Sequence, residues 1–286
     1  MTITFNTIQD LQQALHPLRT DKKIALVPTM GNLHDGHISL VKLAQEHADV
    51  VVVSIFVNPT QFGVGEDLDS YPRTLEADTQ KLTEAGVDYI FAPSVEEMYP
   101  VMPPPTQVLA GAISQYLCGK SRPTHFDGVG IVVTKLFNIV QPNVAVFGKK
   151  DYQQLAIIKQ LVRDLSYNIE IIGAPLVRAV DGLALSSRNQ YLTETERQIA
   201  PMLNQHLSKL AQKLKNTPIA NNQQLQALIE DTIAQINNVG FRVDYLEVSN
   251  QDLSEITDFY GQKQWVIAVA AWLGKARLLD NQEVNA

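Results

Sequence analysis

Residues 6–16 carry apolar positions at helical spacing. They are followed by a short continuous apolar run, Ile24-Ala25-Leu26-Val27, between Asp21-Lys22-Lys23 and Pro28. A run of this length flanked by charge and proline predicts a buried strand that ends where proline removes a ladder donor. Ile38, Leu40, Val41, Leu43 and Ala44 then recur at helical spacing. Val50–Val57 is apolar on both faces, the pattern of a central parallel strand. The segment therefore reads as a strand–turn–helix–strand unit of βαβ size. The alternation continues with a helix over Arg73–Ala85 stopped by Gly86, and a strand over Val87–Phe91. A helix over Val129–Ile139, a strand over Asn143–Phe147, a helix over Gln153–Leu165 and a strand over Ile169–Ile172 follow. Four prolines within residues 100–105 predict an extended loop.

The texture changes near residue 176. Thr193 and Glu196 have the spacing of a capping box that opens one long helix to about Leu214. A polar linker, Asn216–Asn222, precedes a helix over Gln223–Ile236. Val243–Val248 and Trp265–Leu273 read as strands, and Ala276–Leu279 as a short third. Strands alternating with helices imply an α/β fold. The expectation is a Rossmann-like, mainly parallel sheet in an N-terminal domain (1–176) and a smaller α+β C-terminal domain (177–286).

Composition narrows the function classes. The chain has 286 residues, 45% of them hydrophobic and 19% charged, enough for one large or two ordinary folded domains. With 23 Lys+Arg against 30 Asp+Glu, the formal net charge is −7. That balance disfavours general nucleic-acid or anionic-membrane binding, since both want a basic surface. The single cysteine, Cys118, lies in a loop-like stretch and leaves no partner for an intrachain disulfide. The N-terminus lacks the basic start and apolar stretch of a secretory signal. No apolar run approaches the roughly 20 residues of a membrane span. The expected compartment is the cytoplasm.

Four polar segments follow predicted strands or sit at the predicted domain junction. The first is Pro28-Thr29-Met30-Gly31-Asn32-Leu33-His34-Asp35-Gly36-His37, between a strand and a crossover helix. Open α/β sheets bind ligands at strand carboxyl ends, and a helix start offers N–H groups and a positive dipole end to an anion. His34 and His37 share a face if both lie on the first turn. Their spacing also permits a metal, but no cysteine is near. The second segment, Ser54–Phe62, holds Asn58 and Gln61, neutral donors and acceptors suited to a small polar acid, although alone it reads as an ordinary Asn-Pro turn. The third, Phe147–Gln154, offers a lysine (Lys149 or Lys150) for phosphate and an aspartate for ribose hydroxyls, or simply a solvated helix start with Asp151 as a cap or first-turn acid. The fourth, Asp181–Asn189, joins two hydroxyls to an arginine fork, as a phosphate clamp or a polar hinge. Neither G-x-x-x-x-G-K-[ST] nor G-x-G-x-x-G occurs.

Taken jointly, these segments resemble the pantothenate synthetase (pantoate–β-alanine ligase) family of the nucleotidyltransferase-like group. Tyr71-Pro72-Arg73-Thr74, Arg122–Gly128 and Arg277–Asn281 carry the resemblance across nearly the whole chain. The H-x-G-H signature of that group corresponds to His34, Gly36 and His37. The resemblance implies a two-step reaction. Pantoate carboxylate attacks the α-phosphorus of ATP, and β-alanine then attacks the resulting pantoyl adenylate. It implies a catalytic role for His37, assisted by His34, with Lys150 and Arg188 neutralising phosphate charge. The implied ATP residues are Met30, Gly31, Asn32, Leu33, His34, Asp35, Gly36, His37, Gly148, Lys149, Lys150, Asp151, Val177, Leu185, Ser186, Ser187 and Arg188. Gln61 and Gln154 would bind pantoate, Gln61 would also meet β-alanine, and Mg²⁺ would accompany ATP with Asp78 as a candidate contributor. A homodimer and a cytoplasmic location are further implications. One departure shows: the family often has Gly-Glu-Lys-Asp where this chain has Gly148-Lys149-Lys150-Asp151. The stretch from 100 to Arg122 reads either as a lid or as a static surface loop.

Three other readings compete with the AMP-forming ligase. A transferase passing AMP to a phosphorylated acceptor would want more basic residues than Gln61 and Gln154 supply. An aminoacyl-tRNA synthetase fragment would want a basic tRNA-binding module. A nucleotide sensor would tolerate loss of His37 or Arg188, and both are present.

Overall fold

In the computed structural model, residues 2–261 and 264–285 are described. The elements in chain order are β1 (Ile3–Phe5), α1 (Ile8–Leu15), β2 (Ile24–Thr29), α2 (Asp35–His47), β3 (Val50–Ile55), α3 (Leu75–Glu84), β4 (Tyr89–Phe91) and α4 (Val95–Met98). They continue with α5 (Leu117–Ser121), α6 (His125–Val140), β5 (Val144–Gly148), α7 (Tyr152–Asp164), β6 (Glu170–Ala174), α8 (Glu194–Ile199), α9 (Met202–Asn216) and α10 (Asn222–Asn238). Strands β7 (Arg242–Asn250), β8 (Gln264–Leu273) and β9 (Ala276–Asn285) close the series.

Two compact units result. The first comprises residues 1–115, 122–149 and 157–175; the second comprises 116–121, 150–156 and 176–286. Two short pieces of the N-terminal half therefore group with the C-terminal residues, including the first turn of α7.

The first unit is built on a six-stranded sheet of order β1-β4-β3-β2-β5-β6, parallel at every pairing. From β2 the chain moves outward through β3 and β4, then returns to place β5 on the other side of β2. The strand order thus reverses between β2 and β5, and open sheets of this kind bind ligands beyond the strand carboxyl ends at such a point. β2 and β3 are buried along nearly their whole length, from Ile24 to Val27 and from Val50 to Ser54. Their double-sided apolar pattern follows from that burial. On one face Ala25, Val27, Val51 and Val53 pack with Leu40, Val41 and Ala44 of α2 and with Leu82 of α3.

The sheet corrects one boundary. β2 runs through Pro28, which lies opposite Ser54 of β3, while β5 pairs with β2 only at Ala25 and Leu26. Beyond Leu26 the strand is paired on one side alone, so a residue without an N–H is tolerated there.

The second unit packs α9 and α10 against the antiparallel sheet β7-β8-β9. Leu203, Leu207, Leu210 and Leu214 recur along α9 at helical spacing and meet Ile229 and Ile236 of α10 and Ile267 and Val269 of β8. Three expectations change here. The single long helix is two, α8 and α9, because Pro201 has no N–H to continue the ladder and instead starts the second. The third strand extends to Asn285 rather than stopping at Leu279. Cys118 lies in the short helix α5, where it is buried with Sγ 3.1 Å from the Tyr245 hydroxyl.

Leu210 is 1% exposed in this core. Leu210→Ala is expected to cost about 2–5 kcal/mol of unfolding free energy, read as a lower urea midpoint with an unchanged slope.

Candidate active site

The loop from β2 to α2 is held from several directions. Gly31 (φ 82°) and Asn32 (φ 51°) both adopt left-handed backbone, so the N–H groups of Asn32 and Leu33 converge. They donate to Asp78 Oδ2 and Oδ1, each at 2.8 Å, and the Thr74 hydroxyl donates to the same carboxylate at 3.0 Å. The Lys81 ammonium donates to the Leu33 carbonyl at 2.5 Å. Asp78 is 1% exposed.

His34 then caps α2. Its Nδ1 accepts from the Gly36 N–H at 3.1 Å, while its own N–H donates to His37 Nδ1 at 3.3 Å. The two rings lie 4.2 Å apart. Because both Nδ1 atoms are acceptors, each neutral ring carries its proton on Nε2. The cap and the Asp78 carboxylate engage several of the backbone N–H groups around this helix start. Those of Asn32, Leu33, His34 and Gly36 already have intramolecular acceptors. The Nε2–H groups of the two imidazoles are donors that this loop can direct at an anion.

A second network fixes Gln61. Asn58, 1% exposed, donates to Gln61 Oε1 and to the Gly128 carbonyl, each at 3.0 Å. Its Oδ1 accepts from Tyr99 and Thr60 hydroxyls at 3.0 and 2.9 Å. With Oε1 engaged, the Gln61 amide Nε2 lies 3.2 Å from the thioether of Met30. A thioether is a weak acceptor, so a carboxylate or hydroxyl would displace it readily. The Gln61 backbone carbonyl accepts from His125 Nδ1 at 2.8 Å and from Arg122 at 3.3 Å. Since a carbonyl only accepts, His125 carries its proton on Nδ1. Arg122 also forms a two-pronged pair with Glu66 at 2.6 and 2.5 Å. Gly128 permits the close approach, because a Cβ there would collide with the Thr60 carbonyl oxygen.

Gly148 ends β5, and Lys149 to Asp151 form a 3₁₀ turn after it. In the second unit Lys150 lies 3.1 and 3.2 Å from the Asp151 carboxylate, and its carbonyl accepts from Asn281 at 3.0 Å. Gln154, half-buried, lies on the first turn of α7. The segment around Val177 is tied back on itself, with the Leu185 N–H donating to the Val177 carbonyl at 3.0 Å. Arg178 grips Asp280 through two bonds of 2.7 Å. Burial holds the Asp280 carboxyl above the usual range although Arg178 pulls it down. Ser186 caps the turn Ser187–Tyr191, accepting from the Arg188 N–H at 3.3 Å. Ser187 and Arg188 therefore sit on a built 3₁₀ turn and not on a loose loop. Among the described residues, no three His, Cys, Asp or Glu side chains gather as a metal site. Arg122, His125, Thr74 and Lys81 received no role from the sequence. The partners of Arg122, His125 and Lys81 are main-chain atoms or residues tens of positions away, which leave no local signature, while Thr74 acts through Asp78 four residues on.

Paired imidazoles beside the reversal point of a parallel sheet suit an enzyme that handles nucleotide phosphates. Comparison with known proteins narrows the class to a ligase. The profile of the Pantoate-beta-alanine ligase family matches residues 3–283. The chain is 99% identical over 285 residues to pantothenate synthetase of Psychrobacter sp. (strain PRwf-1), covering 100% of both. The crystal structure of pantothenate synthetase from Thermus thermophilus is 42% identical with a TM-score of 0.89, over 99% of each chain. That of pantoate-beta-alanine ligase from Francisella tularensis, complexed with beta-gamma ATP and beta-alanine, is 38% identical with a TM-score of 0.80, over 99% of this chain and 98% of that one. The chain belongs to the pantoate–β-alanine ligase family.

Burial raises the Glu66 pKa, but the hydrogen bond and charge of Arg122 outweigh it and hold the carboxyl below its ordinary value. A depressed folded-state pKa contributes stability above the unfolded value of roughly 4.3, lost as pH falls through the folded value. Glu66→Gln is therefore expected to lower the urea midpoint at pH 7, with the gap to the parent narrowing below about pH 4.

Proposed function

We propose that the chain condenses pantoate with β-alanine in two steps, through a pantoyl adenylate, releasing pyrophosphate and then AMP. The observation that carries this reading is the interlocked pair His34–His37 at the start of α2, with both Nδ1 atoms engaged. A carboxylate is a poor acyl donor. Attack of a pantoate carboxylate oxygen on the α-phosphorus forms a P–O bond as the P–O bond to pyrophosphate breaks. Charge builds on the phosphate oxygens, so fixed donors dominate the barrier. His37 is assigned the main part through Nε2, and His34 the supporting one. Lys150 and Arg188 neutralise phosphate charge, and Ser186 and Ser187 donate to it. Gly148 and Asp151 hold the ribose, and the backbone near Val177 meets adenine. Met30 to His37, Lys149 and Leu185 complete the ATP contacts.

Gln61 and Gln154 take pantoate. The Gln61 amide N–H, which among the described residues has only a thioether as its partner, matches pantoate's hydroxyl and carboxylate oxygens, and then serves β-alanine. In the second step the β-alanine amine attacks the acyl carbon, the C–O bond to the phosphate breaks, and the amine proton is lost to solvent. Mg²⁺ enters with ATP as the substrate complex. A homodimer in the cytoplasm is the working form carried over with the family, and no described helix is long and apolar enough to cross a membrane.

The test follows the oxygen. Pantoate labelled with ¹⁸O in its carboxylate is expected to leave one label in AMP; label in inorganic phosphate with ADP as product would overturn the adenylate. His37→Ala is expected to lower turnover about 10²–10³-fold with an unchanged circular dichroism spectrum. Parent-like turnover would remove His37 from the role assigned.

A further inference from the structure

We infer that Asp78 and Lys81 form a main-chain clamp that positions the histidine pair, so that Asp78 is a positioning residue and not a magnesium ligand. The inference rests on the adenylation reading above. Two successive left-handed residues, Gly31 and Asn32, turn neighbouring N–H groups to one side. Such a concavity ordinarily binds an anion. Here the anion is supplied from within: the Asp78 carboxylate accepts from Asn32, Leu33 and Thr74 at 2.8, 2.8 and 3.0 Å. Three of its four lone-pair directions are thereby used. One direction remains on a carboxylate that is 1% exposed, so a divalent ion could use both oxygens only by displacing main-chain donors on which the loop depends.

Lys81 completes the grip. It stands one helical turn from Asp78 on α3, and residues three apart share a helix face. From that face it donates to the Leu33 carbonyl at 2.5 Å. One side chain thus holds the N–H of Leu33 and the other its C=O, immediately before His34. With that peptide fixed, the His34 N–H is aimed at His37 Nδ1, and the ring orientations follow. A Cβ on Gly31 would lie 3.0 Å from Asp78 Oδ2 and 3.1 Å from Ile55, so the clamp also explains the glycine.

The experiment compares Asp78→Asn, Lys81→Met and Lys81→Arg with the parent chain. It uses steady-state kinetics, a Mg²⁺ titration and ¹⁵N NMR of the imidazole nitrogens in the ligand-free protein. Asp78→Asn is expected to lower kcat about 10–100-fold, with KM for ATP changed less than about threefold and half-activating Mg²⁺ unchanged. Lys81→Met is expected to lower kcat about 3–10-fold, and Lys81→Arg, which keeps a donor, to stay within about twofold of the parent. Both damaging variants should weaken the Nδ1-acceptor signature of His34 and His37. Lys81 is exposed on its helix, so its variants keep the test alive if Asp78→Asn does not fold. Recovery of Asp78→Asn by excess Mg²⁺, or parent-like kcat and imidazole spectra in Lys81→Met, would overturn the clamp. The NMR comparison needs no substrate. It therefore decides the clamp even if the parent chain fails to join pantoate to β-alanine, a failure that would strike the functional reading alone.

Discussion

The start of α2 satisfies its own backbone. A helix N-terminus leaves orphan N–H groups, and in many nucleotide-binding folds a phosphate takes them. Here the two histidines take those of His34 and Gly36, while Asp78 takes the N–H groups of Asn32 and Leu33 in the loop just before the cap. The helix is thereby capped without a ligand, and both imidazoles are forced to carry their protons on Nε2. The same bonds that stabilise the helix also set the tautomer of the residues assigned to catalysis.

A similar economy governs Gln61. Asn58 and the hydroxyls of Thr60 and Tyr99 form one cluster that fixes the Gln61 amide by its oxygen. Arg122 and His125 fix its main chain from the start of α6. The close seat of α6 on this turn depends on Gly128, where any side chain would meet the Thr60 carbonyl. Low local dielectric makes such networks rigid when every member is partnered. Rigid donors are the kind that stabilise developing charge without reorganising.

Much of the fold was legible in the chain. Ile24–Val27 and Val50–Val53 are apolar on both faces because neighbouring strands and helices cover both, and the strand-to-helix segment with two glycines and two histidines stood out locally. Pro201 is visible in the sequence as a helix breaker, yet the periodicity of Leu203, Leu207 and Leu210 masked the break. β1 escaped because three residues pairing only with β4 carry little pattern. The polar end of β9 lay beyond the third strand expected over Ala276–Leu279, although Asp280 and Asn281 face partners at Arg178 and Lys150. The clamp was the least legible part. Asp78 lies 45 residues from Leu33 and binds its main chain, an interaction that no side-chain motif encodes. Recognition of the family named the histidines, and the structure shows what holds them.

On the proposed function, this histidine pair serves a reversible transfer of AMP to pantoate. The most direct measurement is exchange of labelled pyrophosphate into ATP in the presence of Mg²⁺ and pantoate, with β-alanine absent. Exchange is expected to depend on pantoate and to be lost in His37→Ala. Exchange that proceeds without pantoate, or pantothenate formed with ADP and phosphate and no exchange, would contradict the proposed function.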